Sequence, residues 1–335
     1  MYPRPTRLTA HFLAASLLVL AGASVSRAQD TPAATPEVTL TYKYQTGNLQ
    51  KFRLDSKSDL TISPEGAAGL GPIPVTAKLQ AVYTEKVAGT NQGTGTLLVT
   101  LGSMLVDTNA LGMSNVVKVQ NGKVTNTVNG QPAPAGSGGD MMKGLANNKP
   151  ITLKRSPLGS VTDANGAAAM VTGGIGMTIA QMPDHPVKVG DSWDVAQKIR
   201  ASVPGTPGGQ AAPEIEVHFT HTLKELVTKG GKQFAIIEST GSGSTPADAP
   251  GPAVNQNVTG TTRFDVERGT VASGQYNMDL SMKLATPGLP AAAQAQGAPA
   301  SIKVDGMIVM TLAEIPVTAP AAKKAPAKKR AGKRK

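Results

Sequence analysis

The chain contains no cysteine, one tryptophan, five tyrosines and five phenylalanines in 335 residues. The missing cysteine excludes disulfides, thiol nucleophiles, thiolate metal sites and a lipid-modified cysteine after a leader. Stability must therefore come from core burial, which a chain of this length can supply. The aromatic scarcity argues against stacking platforms for nucleic-acid bases, and so against sequence-specific nucleic-acid binding. Acid–base imbalance is missing from the body as well. Of the formal net charge of +11, Arg4, Arg7 and Arg27 account for three and the last fifteen residues for eight, so residues 29–320 sum to zero.

Catalytic phrases are also missing. No Ser lies in a Gly-x-Ser-x-Gly elbow, and no Gly-x-x-x-x-Gly-Lys-Ser/Thr loop occurs. Gly173-Gly174-Ile175-Gly176 lacks the strand and acidic partner of a dinucleotide site. Asp163-Ala164-Asn165-Gly166 lacks the later oxygen ligands of a calcium loop. His218 and His221 are three apart, which on a strand places them on opposite faces. Glu214, Glu216 and His218 share a face opposite Ile215, Val217 and Phe219, so their stripe reads as the solvent side. His185, between Asp184 and Pro186, reads as a surface turn residue, and Asp184, Asp191 and Asp194 as surface carboxylates. The expectation is a non-enzymatic protein with no cofactor and no metal.

The uncharged run Phe12–Val25 follows two arginines and precedes Ser26-Arg27-Ala28. That layout predicts a secretory signal peptide over 1–28, because the run is shorter than the roughly 20 residues a membrane span requires. Residues 29–37 read as a linker, and the protein is expected in the periplasm, outside the cell or in the envelope, without being an integral membrane protein.

The body alternates apolar and polar residues, the period of half-buried strands. Tyr276, Met278, Leu280, Met282 and Leu284 share one face of a long strand, and Ile302, Val304, Ile308, Met310 and Leu312 repeat the pattern. Asn121-Gly122 predicts a tight hairpin pairing Val119 with Val124 and Lys118 with Thr125. Gly230-Gly231 and Arg268-Gly269 mark two more. The fold class is mainly β (α+β): a long curved antiparallel sheet or half-open barrel with one or two short helices. A single domain is expected over 38–314, as two similar halves, 38–162 and 187–314, joined by a helix at 164–182. In that helix Met170, Ile175, Ile179 and Met182 form an apolar stripe. It reads either as a helix closing one side of the sheet or as a cover over an apolar cavity, which makes these four the candidate ligand-binding residues. The Gly/Pro/Ala-rich tracts 131–139, 203–213, 241–253 and 286–300 read as loops.

Residues 315–335 read as a disordered basic tail. Lys323, Lys324, Lys328, Lys329, Arg330, Lys333, Arg334 and Lys335 stand among Ala, Pro and Gly, with no apolar face. They are the candidate contacts to anionic envelope polymers.

Pro186-Val187-Lys188-Val189-Gly190-Asp191-Ser192-Trp193, preceded by a Tyr-rich opening strand at Tyr42-Lys43-Tyr44, resembles a family of exported bacterial β-rich proteins of unknown function. Phe264-Asp265 to Gly269-Thr270-Val271 is similar to that family too. More distantly the chain resembles the curved-sheet carriers of lipoproteins and lipids in the bacterial envelope. The resemblance implies an exported β-rich domain and brings no catalytic residue. Two functions follow as expectations: holding an apolar or lipid-like ligand, or serving as a structural or adhesive module attached through its tail.

Overall fold

The computed structural model describes residues 36–66, 71–134, 149–162, 180–200, 214–245, 253–285 and 301–317. They build β1 (Leu49–Glu65), β2 (Ile73–Asn91), β3 (Thr94–Ala110), β4 (Met113–Gln120), β5 (Lys123–Val128), β6 (Gln131–Pro132), β7 (Ile151–Arg155) and β8 (Val161–Thr162). There follow β9 (Ser192–Arg200), β10 (Glu214–Lys229), β11 (Lys232–Ser244), β12 (Ala253–Asp265), β13 (Thr270–Ala285) and β14 (Ser301–Glu314). All belong to one antiparallel sheet in the order β6-β5-β4-β3-β2-β1-β14-β13-β12-β11-β10-β9, with β7 on β3 and β8 on β7. The first and last long strands pair with each other, from Phe52 with Glu314 to Glu65 with Ser301. No pairing among the described residues joins β9 to β5 or β6, so the sheet is open.

The sheet curls. Val99 on β3 and Leu223 on β10 lie in one hydrophobic cluster, although seven strand steps separate them along the sheet. On a flat sheet that separation would be about 34 Å. Long strands twist and coil of themselves, and register shifts at Val82/Tyr83, Val87/Gly89, Leu223/Glu225 and Arg263/Phe264 add to the bend.

The alternation read from the sequence sorts the two faces. Phe52 and Leu54 are buried, while Arg53, Lys57 and Asp59 are exposed. The outer face carries ion pairs of strand neighbours: Arg53 with Asp55 at 2.7 Å, Lys57 with Asp59 at 2.8 Å, Lys303 with Asp305 at 3.0 Å. The inner face is apolar and carries two buried clusters. Near the turns 92–93, 230–231 and 266–269 it packs around Leu40, Leu97, Leu153, Val187, Leu223 and Phe264. Toward the opposite end a second cluster forms around Ile215, Val217, Val254, Val258, Tyr276 and Met310, while Leu60, Ile62, Ile73, Val75 and Ile302 are half-buried outside both clusters.

The hairpin at Asn121-Gly122 pairs Val119 with Val124 and Lys118 with Thr125, as the sequence predicts. Gly230-Gly231 turns β10 into β11, and Val266–Gly269 turns β12 into β13. Three further two-residue turns, Gln92-Gly93, Leu111-Gly112 and Asn129-Gly130, also have both φ angles positive, as a type I′ turn requires.

No helix occurs among the described residues, which form an all-strand antiparallel sheet. The helix expected over 164–182 lies outside the described residues as far as residue 179. Ala180–Met182, its expected last turn, is irregular chain. Its backbone is held by remote groups instead: the Tyr42 hydroxyl donates to Ala180 O at 2.9 Å, Trp193 Nε1 to Gln181 O at 2.8 Å, and Met182 N to Leu158 O at 2.8 Å. The opening segment Tyr42-Lys43-Tyr44 is not a strand either. It is an extended crosspiece: Tyr42 N donates to Pro157 O at 2.7 Å and Lys43 N to Gly269 O at 3.1 Å, tying the β7–β8 connection to the β12–β13 turn. Eight strands precede residue 163 and six follow residue 187 among the described residues.

Candidate functional site

The PVKVGDSW segment is a structural dock. Val187 exchanges both backbone hydrogen bonds with Val38, at 2.9 and 3.0 Å. Asp191 N donates to Lys188 O at 3.0 Å across a turn whose third residue, Gly190, has φ +98°, the positive value a type II turn needs. Asp191 Oδ2 accepts from Lys188 N at 2.8 Å, and Gly190 N donates to Leu223 O at 2.7 Å, seating the turn beside the β10 bulge. Trp193, the second residue of β9, is a buried anchor, 5.6 Å from the His221 ring.

The histidines fall as their spacing demands. His218 is exposed, 3.3 Å from Glu216 on the solvent face. His221 is buried, shares a hydrogen bond of 2.8 Å with Ser239 Oγ and stacks on Phe219 at 5.7 Å. Burial lowers its pKa to about 4, against a small upward pull from Asp194. His185 is exposed and bonds Asp184 at 2.8 Å. Asp191 caps its turn and Asp194 accepts from Thr220 at 2.6 Å, so these carboxylates serve separate local roles.

Of the four ligand candidates, Met182 is buried in the main core cluster. Met170, Ile175 and Ile179 lie outside the described residues, as do Lys323, Lys324, Lys328, Lys329, Arg330, Lys333, Arg334 and Lys335 of the tail.

The sequence reading missed a cavity of about 430 Å³ between the crosspiece and the packed end of the inner face. Tyr42, Tyr44, Phe52, Tyr83, Leu97 and Leu312 stand in its walls, with Gln50, Glu85, Arg155 and Thr270 among them and Lys43, Glu267 and Arg268 also lining it. A chain poor in aromatics thus gathers three of its five tyrosines in one place. The Phe52 and Tyr83 rings stack at 5.4 Å, and Tyr42 and Tyr44 lie nearly parallel at 6.5 Å. The two crosspiece tyrosines are fixed by their hydroxyls, Tyr42 to Ala180 O and Tyr44 to Ser156 O. Burial holds the hydroxyl pKa of Tyr42, Tyr44 and Tyr83 above the ordinary range, despite the opposing pull of Arg155, so all three stay neutral.

Arg155, on β7, reaches Glu85, on β2, through two parallel hydrogen bonds of 3.1 and 2.9 Å. Both side chains are almost fully buried. Burial alone would weaken the guanidinium's hold on its proton, but Glu85 and the neighbouring tyrosines outweigh it, and the pKa of Arg155 rises. The mouth carries Lys43, whose Nζ donates to the carbonyls of Val266 and Glu267 at 3.1 Å each, and Arg268, paired with Glu314 at 2.7 Å. Among the described residues lining this cavity, no nucleophile, base and orienting group stand in one chain of contacts.

No known family matches the chain, and no characterised protein emerges as a relative. Solved structures with which it shares a loose likeness include an outer-membrane channel of Pseudomonas putida F1, at 7% identity and a TM-score of 0.24, covering 82% of this chain and 97% of that one. The β domain of the Bordetella autotransporter BrkA is similar at 9% identity and a TM-score of 0.24, covering 79% and 98%. DynF, from the dynemicin biosynthesis pathway of Micromonospora chersina, is similar at 7% identity and a TM-score of 0.19, covering 84% and 86%. Likenesses this loose carry no argument about function.

Proposed function

We propose that the protein is an exported, non-enzymatic envelope protein that holds an apolar or lipid-like ligand on the inner face of its open sheet. The observation that carries this reading is the uneven cover of that face. Two clusters are buried, while Leu60, Ile62, Ile73, Val75 and Ile302, which belong to neither, stay half-buried on the face opposite the charge ladder. An apolar surface of that kind, curled within a polar exterior, has the form of a ligand groove. The face polarity is the reverse of a membrane-spanning barrel, which carries its apolar band outside. Arg53, Asp55, Lys57, Asp59 and Lys303 stand where such a band would need apolar residues. That supports a peripheral or free envelope protein over an integral one. The eight cations of the tail favour retention at anionic envelope polymers, each contributing up to about 1 kcal/mol near an anionic surface, reduced by salt.

The test is organic extraction of protein purified from its own envelope, with mass spectrometry of the extract, alongside titration with an environment-sensitive apolar dye. The expected result is a co-purifying lipid and a dye signal abolished in the Leu60→Asp and Val75→Asp variants. No extracted lipid together with no dye binding overturns the reading. Deleting residues 321–335 is expected to release the protein from envelope fractions at low salt without changing dye binding.

A further inference from the structure

We infer that the β3–β4 turn is a lipid-contacting tip: Leu111 and Met113 enter the surface of a bilayer and bring the apolar inner face against it. The inference rests on the lipid-like ligand proposed above and names the surface from which that ligand comes. Leu111 and Met113, at 67% and 52% exposure, are the two most exposed large apolar side chains among the described residues, and they stand two positions apart on one hairpin. Leu111 is also an odd choice for its turn. Of the four non-glycine residues with positive φ among the described residues, Gln92, Asn121 and Asn129 are polar and Leu111 alone is apolar. Asparagine takes that backbone more readily than leucine. Nothing inside the fold offsets the choice, because the side chain stands in solvent.

Register ties the tip to the inner face. Residues directly opposite each other on neighbouring strands share a face. One such row runs Leu280, Gly306, Leu60, Val75, Ala110, Met113 from β13 to β4. Met113 is thus the exposed end of the row that holds the half-buried Leu60 and Val75. The chemistry around the tip selects what covers it. Residues 108–117, and residues 71–77 leading into and along the neighbouring β2, carry no charge, so contact with hydrocarbon strips water from no ion there. Two side chains at a turn cover far less than the roughly 800 Å² per partner of a stable protein interface. A bilayer requires no matching shape, and isolated apolar side chains at a tip gain burial in it by depth alone. The eight cations of the tail act on the charge of such a surface and are screened by salt, whereas burial of the tip is not.

The experiment uses the full chain with vesicles of phosphatidylcholine, alone or mixed equally with phosphatidylglycerol, in salt high enough to screen the tail. Because the chain has no cysteine, Met113→Cys places a single environment-sensitive fluorophore at the tip, and Lys229→Cys places one at the opposite end of the sheet. The label at 113 is expected to shift to the blue on either vesicle and to be quenched by brominated acyl chains; the label at 229 is expected to do neither. In the unlabelled chain, Leu111→Asn and Met113→Ser, made singly so that a fault in one leaves the other, are each expected to weaken vesicle co-sedimentation about tenfold, the worth of a partly buried apolar side chain. Their apolar-dye binding stays at the wild-type level, which separates the tip from the groove. Dye bound and lipid extracted, with the label at 113 unmoved by vesicles, overturns the inference and leaves the groove standing. Insertion at 113 by a chain that binds no dye and yields no lipid supports the tip and strikes the groove. Co-sedimentation untouched by both substitutions overturns the inference, as does a dimer that Leu111→Asn splits without any vesicle response, since the tip would then cover a second copy.

Discussion

Arg155 and Glu85, seventy residues apart in the chain, meet through two parallel hydrogen bonds of 3.1 and 2.9 Å with almost no access to water. β7 exists as a short strand on β3, with Arg155 paired to Gly95, and that placement aims the guanidinium across at β2. Removing either partner strands the other charge in the core, which costs about 3–5 kcal/mol. Glu85→Leu and Arg155→Met are each expected to lower the unfolding free energy by that amount, read from urea titration. The double variant is expected to recover most of the loss, because two apolar side chains of similar volume remove the desolvation penalty along with the attraction. A double variant as unstable as the sum of the singles would show that the pair is not coupled in the way its geometry implies.

His221 gives the fold a pH dependence whose sign is fixed. Its pKa is lowered to about 4 by burial, against about 6.5 in an unfolded chain. Between those values the unfolded chain binds a proton that the folded chain refuses. Stability is thus full above pH 6.5 and falls as the pH drops through 6.5 toward 4, by about 3 kcal/mol in all. Glu65, Asp184 and Asp305 are held below the ordinary carboxylate range by their hydrogen-bond partners. Urea unfolding at half-unit steps from pH 7 to pH 4 is expected to show the slope. His221→Gln is expected to be less stable at pH 7 but nearly flat over the same interval.

The strands were legible because the chemistry alternates residue by residue: Tyr276, Met278 and the residues after them fall on one face with their polar neighbours on the other. Asn121-Gly122 was legible for a local reason too, since both residues accept positive φ. What escaped the sequence reading depends on distance. Nothing near Arg155 announces Glu85, and nothing near Gln50 announces Thr270; the cavity exists only once β1, β7 and β13 converge. The Tyr42-Lys43-Tyr44 segment stood out as a phrase but read as a strand, because its extended backbone pairs with single carbonyls of two separate loops instead of with a ladder. The apolar stripe ending at Met182 lies outside the described residues as far as residue 179; at Ala180–Met182 its helical spacing is present, but tertiary partners take the backbone.

Gly241 sits directly across from Phe219. A Cβ at Gly241 would lie 2.5 Å from Phe219 Cδ1 and 2.7 Å from Cε1. The ring lies over the bare glycine, the arrangement by which an aromatic side chain covers the backbone a glycine leaves open. Phe219 also stacks on His221, so it has little room to retreat. Gly241→Ala is expected to cost about 1–3 kcal/mol, the range of an overpacked core. Gly89→Ala is the matched control, since a Cβ there meets nothing within 4 Å. Its unfolding midpoint is expected to stay unchanged or rise slightly, because alanine gives up less chain entropy than glycine.

Leu111 occupies the first central position of the β3–β4 turn at φ +53°, with 67% of its surface exposed. A leucine there gains almost nothing from burial and bears the steric cost of a left-handed backbone, about 1 kcal/mol. The same position in the next hairpin along, β4–β5, holds Asn121 at φ +51°, and asparagine tolerates that conformation. Leu111→Asn is therefore expected to stabilise the protein by about 0.5–1 kcal/mol, read as a higher thermal midpoint with unchanged strand content. The opposite outcome is equally informative. Loss of stability would mean that the leucine is covered by something it packs against in solution, and the strain at this turn would then be the cost of holding an apolar side chain out for that contact.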